Sequence, residues 1–375
     1  MARKSAIVVG AGIVGIATAR ALALKGYSVN VFERNHMASG ASVRNFGMIW
    51  PIGQPTGKLY DRAIRSQQCW KEIGDAGGLW YDPVGSLHLA YNEAEWQVLQ
   101  ELFQVFKNEG RDISILNREQ VFAKSGIARE ENCLGGLYSG EEMIVDPREA
   151  IRFLPEYFKE KMDIRFNWGK AVVSVSPGKI VSGLDHIHAD LIFICSGSDF
   201  KTLYPQEFEK YPLTKCKLQM MRILEEVPRR IGPSLCGGLS LIHYPSFKAA
   251  PSLNILKMRY EEEMPEYLKC GIHVMVSQNH TGHLTIGDSH EYGLSPDPFD
   301  RKYINDLILN YLEKFASLKN PSIVETWNGV YGKFTNDQTE LFISPESGVY
   351  IINGVGGTGM TMSFGLTEEL ISKIV

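Results

Sequence analysis

The most constraining feature of this chain lies in its first 33 residues. A short, largely β-branched apolar run, Ala6 to Val9, has the composition of a buried parallel strand. Gly10-Ala11-Gly12-Ile13-Val14-Gly15 follows, then Ile16 to Lys25 as a helix stopped at Gly26. A second strand, Tyr27 to Phe32, ends in Glu33. That order and spacing belong to a dinucleotide-binding βαβ unit. Gly10 permits the tight turn, Gly12 lets backbone approach a pyrophosphate, and Gly15 lets helix and strand pack closely. Free N–H groups at the helix start, with the positive end of its dipole, hold phosphate charge. Glu33 can accept both ribose hydroxyls of an adenosine, which argues against a 2′-phosphate and leaves NAD and FAD.

Composition narrows the class. With 39 basic and 43 acidic residues the formal charge is −4, too mild for a dedicated nucleic-acid binder. Hydrophobic residues make up 44% of the 375, enough for sizeable cores, and the length suggests two domains. Cys69, Cys133, Cys195, Cys216, Cys236 and Cys270 show neither C-x-x-C spacing nor zinc-finger histidines, which fits a reducing cytoplasm. The run from Ala6 to Ala19 imitates a secretory signal, but three glycines interrupt it and Arg20 closes it too early for a span. A cytoplasmic protein without membrane attachment is expected. Neither a G-x-S-x-G nor a P-loop lysine motif occurs, which removes hydrolase and NTPase readings. His186 and His188 lack a third ligand, and His280, His283 and His290 lie in polar loop sequence, so no metal site is expected.

The glycine excess has a second location. Val349 to Ile352 reads as a strand and Met360 to Ile374 as a helix, with Gly354, Gly356, Gly357 and Gly359 between them. Such a turn aims backbone N–H groups from a helix N-terminus at partial negative charge. Reduced flavin accumulates that charge around N1 and O2.

From Glu33-Arg34 onward the chain resembles the FAD-dependent amine oxidoreductases of the D-amino-acid oxidase, glycine oxidase and sarcosine oxidase family. Four separated segments carry the resemblance: Ala38-Ser39-Gly40-Ala41-Ser42, Val145-Asp146-Pro147-Arg148, Leu191 to Gly197, and Asn353 to Thr361. The stretch Ser42 to Pro55 is similar to the branch of the family connected with aminophosphonate breakdown. No cysteine occurs in Trp327 to Lys333, where sarcosine oxidases attach their flavin, so the resemblance implies noncovalent FAD.

The expected fold is α/β: a Rossmann-like FAD-binding domain interleaved with an α+β substrate domain on a mixed or antiparallel sheet. The FAD part is expected at 1–80, 145–212 and 326–375, the substrate part at 81–144 and 213–325. Strands are expected at Leu218 to Leu224, Leu253 to Tyr260 and Ile272 to Val276, and helices at Glu93 to Glu109 and Asp300 to Phe315.

The cofactor-binding set begins with Gly10, Ala11, Gly12, Ile13, Val14, Gly15, Glu33 and Arg34. The resemblance extends it to Ala41, Ser42, Asn45, Gly47, Met48, Val172, Cys195, Ser196, Gly197 and Gly329. Gly356, Gly357, Thr358, Gly359, Met360 and Thr361 complete it. For the substrate, the resemblance implies an anion holder. Where glycine and D-amino-acid oxidases carry a carboxylate-binding arginine this chain has Tyr331, with Lys333 two residues on. Arg44, Lys333, Tyr331, His243, Tyr244 and Thr361 form the expected substrate set, with His243-Tyr244 in an apolar strand context. The lysine that sarcosine oxidases place beside the flavin matches Thr285, so oxidase and dehydrogenase chemistry both stay open, with oxidase favoured.

The implied activity is oxidative deamination of a small anionic amine, an aminophosphonate first, by hydride transfer to flavin N5. Glycine, sarcosine or a D-amino acid is the alternative substrate, and a non-catalytic FAD-binding partner the alternative class. Expected partners are the amine and O2, with neither nucleic acid nor membrane, and with room for a homo-oligomer.

Overall fold

The computed structural model describes residues 3–375. Among these, the glycine-flanked βαβ unit builds the centre of a six-stranded sheet. Its order is Leu341–Glu346, Val349–Asn353, Leu191–Ile194, Ser5–Val9, Ser28–Glu33 and Arg165–Trp168, parallel except for the first. Ile13–Leu24 is buried around most of its circumference, with Ile13, Ile16, Ala17 and Leu22 all in the core. It is wedged between the sheet and the C-terminal helix Gly359–Ser372, so no polar face is needed. The two glycine turns, far apart in sequence, therefore meet on one side of one sheet. Asp146 caps the helix Pro147–Met162, accepting from the Arg148 N–H at 2.9 Å, with proline in the first turn.

A second, nine-stranded sheet carries the other layer. Its spine is an antiparallel pair, Leu213–Glu225 with Pro321–Phe334, in register from Leu213↔Phe334 to Glu225↔Pro321 with one irregularity after Arg222. The expected boundary at 325/326 falls inside this second strand, which continues unbroken to Phe334. Helices Glu93–Asn108 and Lys302–Leu312 cover the sheet on its outer face. The sheet's other face looks toward the first layer. No helix among the described residues is long and apolar enough to cross a membrane.

Three local expectations are corrected. Leu253 to Tyr260 is a helix, Leu253–Glu263, because its buried residues Leu256 and Tyr260 recur at helical spacing and Ile255 and Met258 face solvent. The strand expected from Ile272 starts at Met275–Gln278. His243-Tyr244 lies in a turn after the 3-10 segment Gly238–Ile242, not in a strand.

One buried acid gives a stability prediction. Glu142 is 1% exposed, accepts from Ile52 N–H and Ser86 Oγ at 2.9 Å each, and burial pushes its carboxyl up to about 7. Above an unfolded-state value near 4.5 the folded protein holds a proton that the unfolded chain has released, so stability falls as pH rises from about 4.5 to 7. The full difference is about 3 kcal/mol. Glu142→Gln is expected to remove this slope in thermal midpoints measured from pH 5 to 8; an unchanged slope would show that Glu142 is ionised throughout.

Candidate active site

A cavity of about 1230 Å3 lies between the two sheets, above the roughly 300–1,000 Å3 typical of small-ligand pockets. One end is formed by the glycine turn after the first strand. There Gly10 has φ +102°, and Glu33 accepts from the N–H groups of Ala11 and Asn35 at 3.0 Å. Glu33 thus pins the turn as well as facing the cavity. Ser42 Oγ accepts from the Ile13 N–H at 2.9 Å at the same helix start. Gly40 and Gly197 have no atom within 4 Å of where a side chain would begin, and Gly12 has only Ser42 Oγ, at 3.2 Å. This bare-backbone rim beside N–H donors and an acid fits the adenosine and pyrophosphate of FAD.

The middle of the cavity runs between Met48 and Trp50 on one side and the Val355 to Thr361 segment on the other. Gly356–Thr358 is a 3-10 turn that leads directly into the helix Gly359–Ser372. Thr361 Oγ1 accepts from the Trp50 N–H at 2.9 Å and so ties the two walls together. Trp50, only 5% exposed, is both core and wall.

Most expected cofactor residues line this space: Gly10, Gly12, Ile13, Val14, Glu33, Arg34, Ala41, Ser42, Asn45, Met48, Val172, Cys195, Ser196, Gly197, Gly329 and Gly356 to Thr361. Ala11, Gly15 and Gly47 do not; they sit behind the lining and shape the backbone. Asn45 is occupied locally, donating to the Ala41 and Ser42 carbonyls and accepting from the Gly47 N–H.

The inner end holds the titratable groups. Arg44, Lys333, Tyr331, His243 and Tyr244 all line the cavity. Arg44, exposed, gives Nε to the Ser39 carbonyl and Nη1 to the Asn328 carbonyl, which commits much of its guanidinium to holding the strand Pro321–Phe334. Lys333 is different. Its side-chain hydrogen bond is to Tyr292 Oη at 3.4 Å, and among the described residues it has no carboxylate partner. Thr285 lies outside the lining, and Arg222 is buried 3.7 Å from Asp146.

His273 and Asp288 were not among the expected site residues, and His290 was expected in polar loop sequence. All three are buried, at 4%, 4% and 7% exposure, and they join His243 at the inner end. His273 and Asp288 exchange backbone N–H···O bonds, which brings two segments together at this point. Burial, the neighbouring imidazoles and the Lys333 charge hold His273 well below its ordinary range. His243 opens to the cavity but is ringed by protein on its other sides, and is lowered by that burial, His290 and Lys333. Burial takes His290 down to about 4, and pushes the Asp288 carboxyl well up. His273 Nε2 lies 3.0 Å from Asp288 Oδ1, and since burial disfavours both ions the pair carries no net charge. The inner wall therefore sets three neutral imidazoles beside Lys333. A histidine inside the apolar run Ile272 to Val276 was the available signal.

The comparisons agree with this architecture. A family profile described as FAD dependent oxidoreductase, DAO, matches residues 5–372. Glycine oxidase from Geobacillus kaustophilus shares the fold with a TM-score of 0.78 at 18% identity, over 98% of this chain and 93% of that one. L-proline dehydrogenase from P. horikoshii gives 0.79 at 20% identity, over 99% and 94%. A curated relative, the tRNA 5-methylaminomethyl-2-thiouridine biosynthesis bifunctional protein MnmC of Chromobacterium violaceum, is 31% identical over 164 residues. That match takes in 41% of this chain and 24% of that protein, so it reports shared ancestry over a segment. Since the profile runs nearly end to end and the rim, the acid and the second turn all suit FAD, this chain belongs to the DAO family of FAD-dependent oxidoreductases and is an enzyme.

Proposed function

We propose that this enzyme oxidatively deaminates a small anionic amine, with an aminophosphonate such as 2-aminoethylphosphonate, or its N-methyl or hydroxy relative, as the first choice. One observation carries the reading. Beside the buried histidines the cavity presents an ammonium with no carboxylate partner among the described residues, Lys333, where the resemblance would have an arginine two residues earlier. A guanidinium fork matches a planar carboxylate, whereas a point charge serves a tetrahedral oxyanion equally well.

FAD, when bound, supplies the two-electron acceptor for the C–H bond beside the amine. The chain's own part is placement. Lys333 holds the anionic end, and the walls at Trp50 and Tyr244 exclude water. The N-terminus of Gly359–Ser372 offers positive potential to charge developing along the middle of the cavity. Water then converts the imine product to an aldehyde plus ammonia or amine.

A second reading, with glycine, sarcosine or a D-amino acid as substrate, draws support from the fold shared with glycine oxidase. Anaerobic mixing of the yellow protein with a panel of amines separates the two. Bleaching of the flavin by aminophosphonates is the expected result; bleaching by amino acids alone would sink the first reading. Admitting air to the bleached sample then tests the acceptor: rapid recovery of colour marks an oxidase, and recovery only with an added dye marks a dehydrogenase.

A further inference from the structure

The three histidines of the inner wall are stacked. Ring centroids lie 3.7 Å apart for His243 and His273, 4.8 Å for His243 and His290, and 5.1 Å for His273 and His290. The planes stay within 31° of one another, and one nitrogen from each falls within 4.8 Å of the others. Such a group can receive a cation or an anion, and its geometry separates the two.

A metal ion needs lone pairs that lie in the ring planes and converge on one point at about 2.0–2.1 Å. Nearly parallel stacked rings instead hold their lone pairs in separate planes that share no point within bonding reach. Lys333 adds a positive charge close enough to disfavour protonation of all three rings, and Asp288, the nearest acid, is held neutral by burial. A cation would meet repulsion without a counter-charge. An anion meets an ammonium, ring N–H groups and the Tyr292 hydroxyl.

The hydrogen-bond inventory narrows the anion further. Both ring nitrogens of His273 are buried without a hydrogen-bond partner, and so is Asp288 Oδ1, since their close approach is poorly aligned. Buried polar atoms left this way imply a missing partner. His290 Nδ1 lies 2.9 Å from the Gly271 carbonyl, which can only accept. Nδ1 therefore bears the proton, and Nε2 of the neutral ring is an acceptor. An acceptor beside an ammonium suits an oxyanion that still carries one proton. A phosphonate, with a second ionisation near that of a phosphate ester at about 6, keeps that proton in part near neutral pH and mostly below about 6. A carboxylate, with a value near 4, does not.

We infer that His243, His273 and His290, together with Lys333, form a seat for the singly protonated tetrahedral oxyanion of the substrate, and that this seat sets its preference for a phosphonate over a carboxylate. The inference rests on the amine-oxidation reading and adds to it the residues that select the anion.

The test uses the FAD-loaded protein and three amine-free probes that cannot be oxidised: methylphosphonate, methanesulfonate and acetate. Methanesulfonate has the tetrahedral shape but no proton to donate. Flavin difference spectra are expected to show methylphosphonate binding at least tenfold more tightly than either of the others. His243→Phe and His290→Phe keep a stacked ring and remove its nitrogens; each is expected to weaken methylphosphonate tenfold or more at unchanged flavin content. His243 faces the open cavity, so its variant leaves the core intact if the His290 variant fails to fold. Equal binding of methanesulfonate, or unchanged methylphosphonate binding in His243→Phe, would overturn the inference. So would tight Zn2+ binding by the wild-type protein that His243→Phe abolishes. If aminophosphonates bleach the flavin with KM unaltered in the variants, the seat fails and the functional reading stands. If methylphosphonate binds through the histidines while no aminophosphonate bleaches the flavin, the seat stands and the functional reading fails.

Discussion

Gly15→Ala is expected to yield colourless protein, or none that folds. A side chain begun at Gly15 would lie 1.9 Å from the Gly10 carbonyl oxygen and 3.4 Å from Val8 Cγ1. Both neighbours are fixed, since Gly10 itself, at φ +102°, faces the Cys195 carbonyl and leaves no room to retreat. The helix Ile13–Leu24 would have to back away from Ser5–Val9, carrying with it the N–H groups at the cavity rim. Overpacking of this kind costs about 1–3 kcal/mol, occasionally more. The expected result is a fall in bound flavin per mole together with a lower thermal midpoint. Gly293→Ala is the control, because nothing lies within 4 Å of its would-be side chain and its φ needs no glycine. A yellow Gly15→Ala protein with an unshifted midpoint would mean that the helix does not need this close approach.

Lys333→Ala is expected to raise KM for an anionic amine about 10- to 100-fold, with a smaller effect on kcat. A charge-assisted hydrogen bond contributes about 1.5–3 kcal/mol, and each 1.4 kcal/mol is about a factor of ten. The effect should sit in KM because the ammonium meets the anionic end in ground state and transition state alike. Flavin content should stay at the wild-type level, since Lys333 is not part of the glycine rim that fits the adenosine half. Lys333→Arg restores charge without the compact head and should recover part of the loss. An unchanged KM in Lys333→Ala would remove this residue from the site.

How much of this was legible before folding depends on how local the signal is. The first βαβ unit occupies residues 5–33, and every task in it is done by neighbours in sequence. The second glycine turn was equally plain, because a strand, four glycines and a proline-free helix follow one another directly. Leu253 to Tyr260 was misread because a short apolar run has no decisive period until its surroundings define an inside. The extent of Pro321–Phe334 was hidden for a related reason. Its length is set by its partner Leu213–Glu225, about a hundred residues earlier, and not by its own composition. Glu33 lines the cavity, but its bonds to the Ala11 and Asn35 N–H groups follow only from the folded turn.

The sequence by itself determined the cofactor class and the architecture, because the segments that fit FAD are contiguous and their glycines must appear in order. Only the tertiary structure decided what stands opposite it. His243 follows a 3-10 turn, His273 precedes a strand, and Asp288 and His290 follow another, and none of the three segments carries a recognisable motif. They become one wall because the nine-stranded sheet closes around them, and burial then strips their charge. In that enclosure desolvation and long-range contacts set protonation, and neither is written in any single stretch of chain.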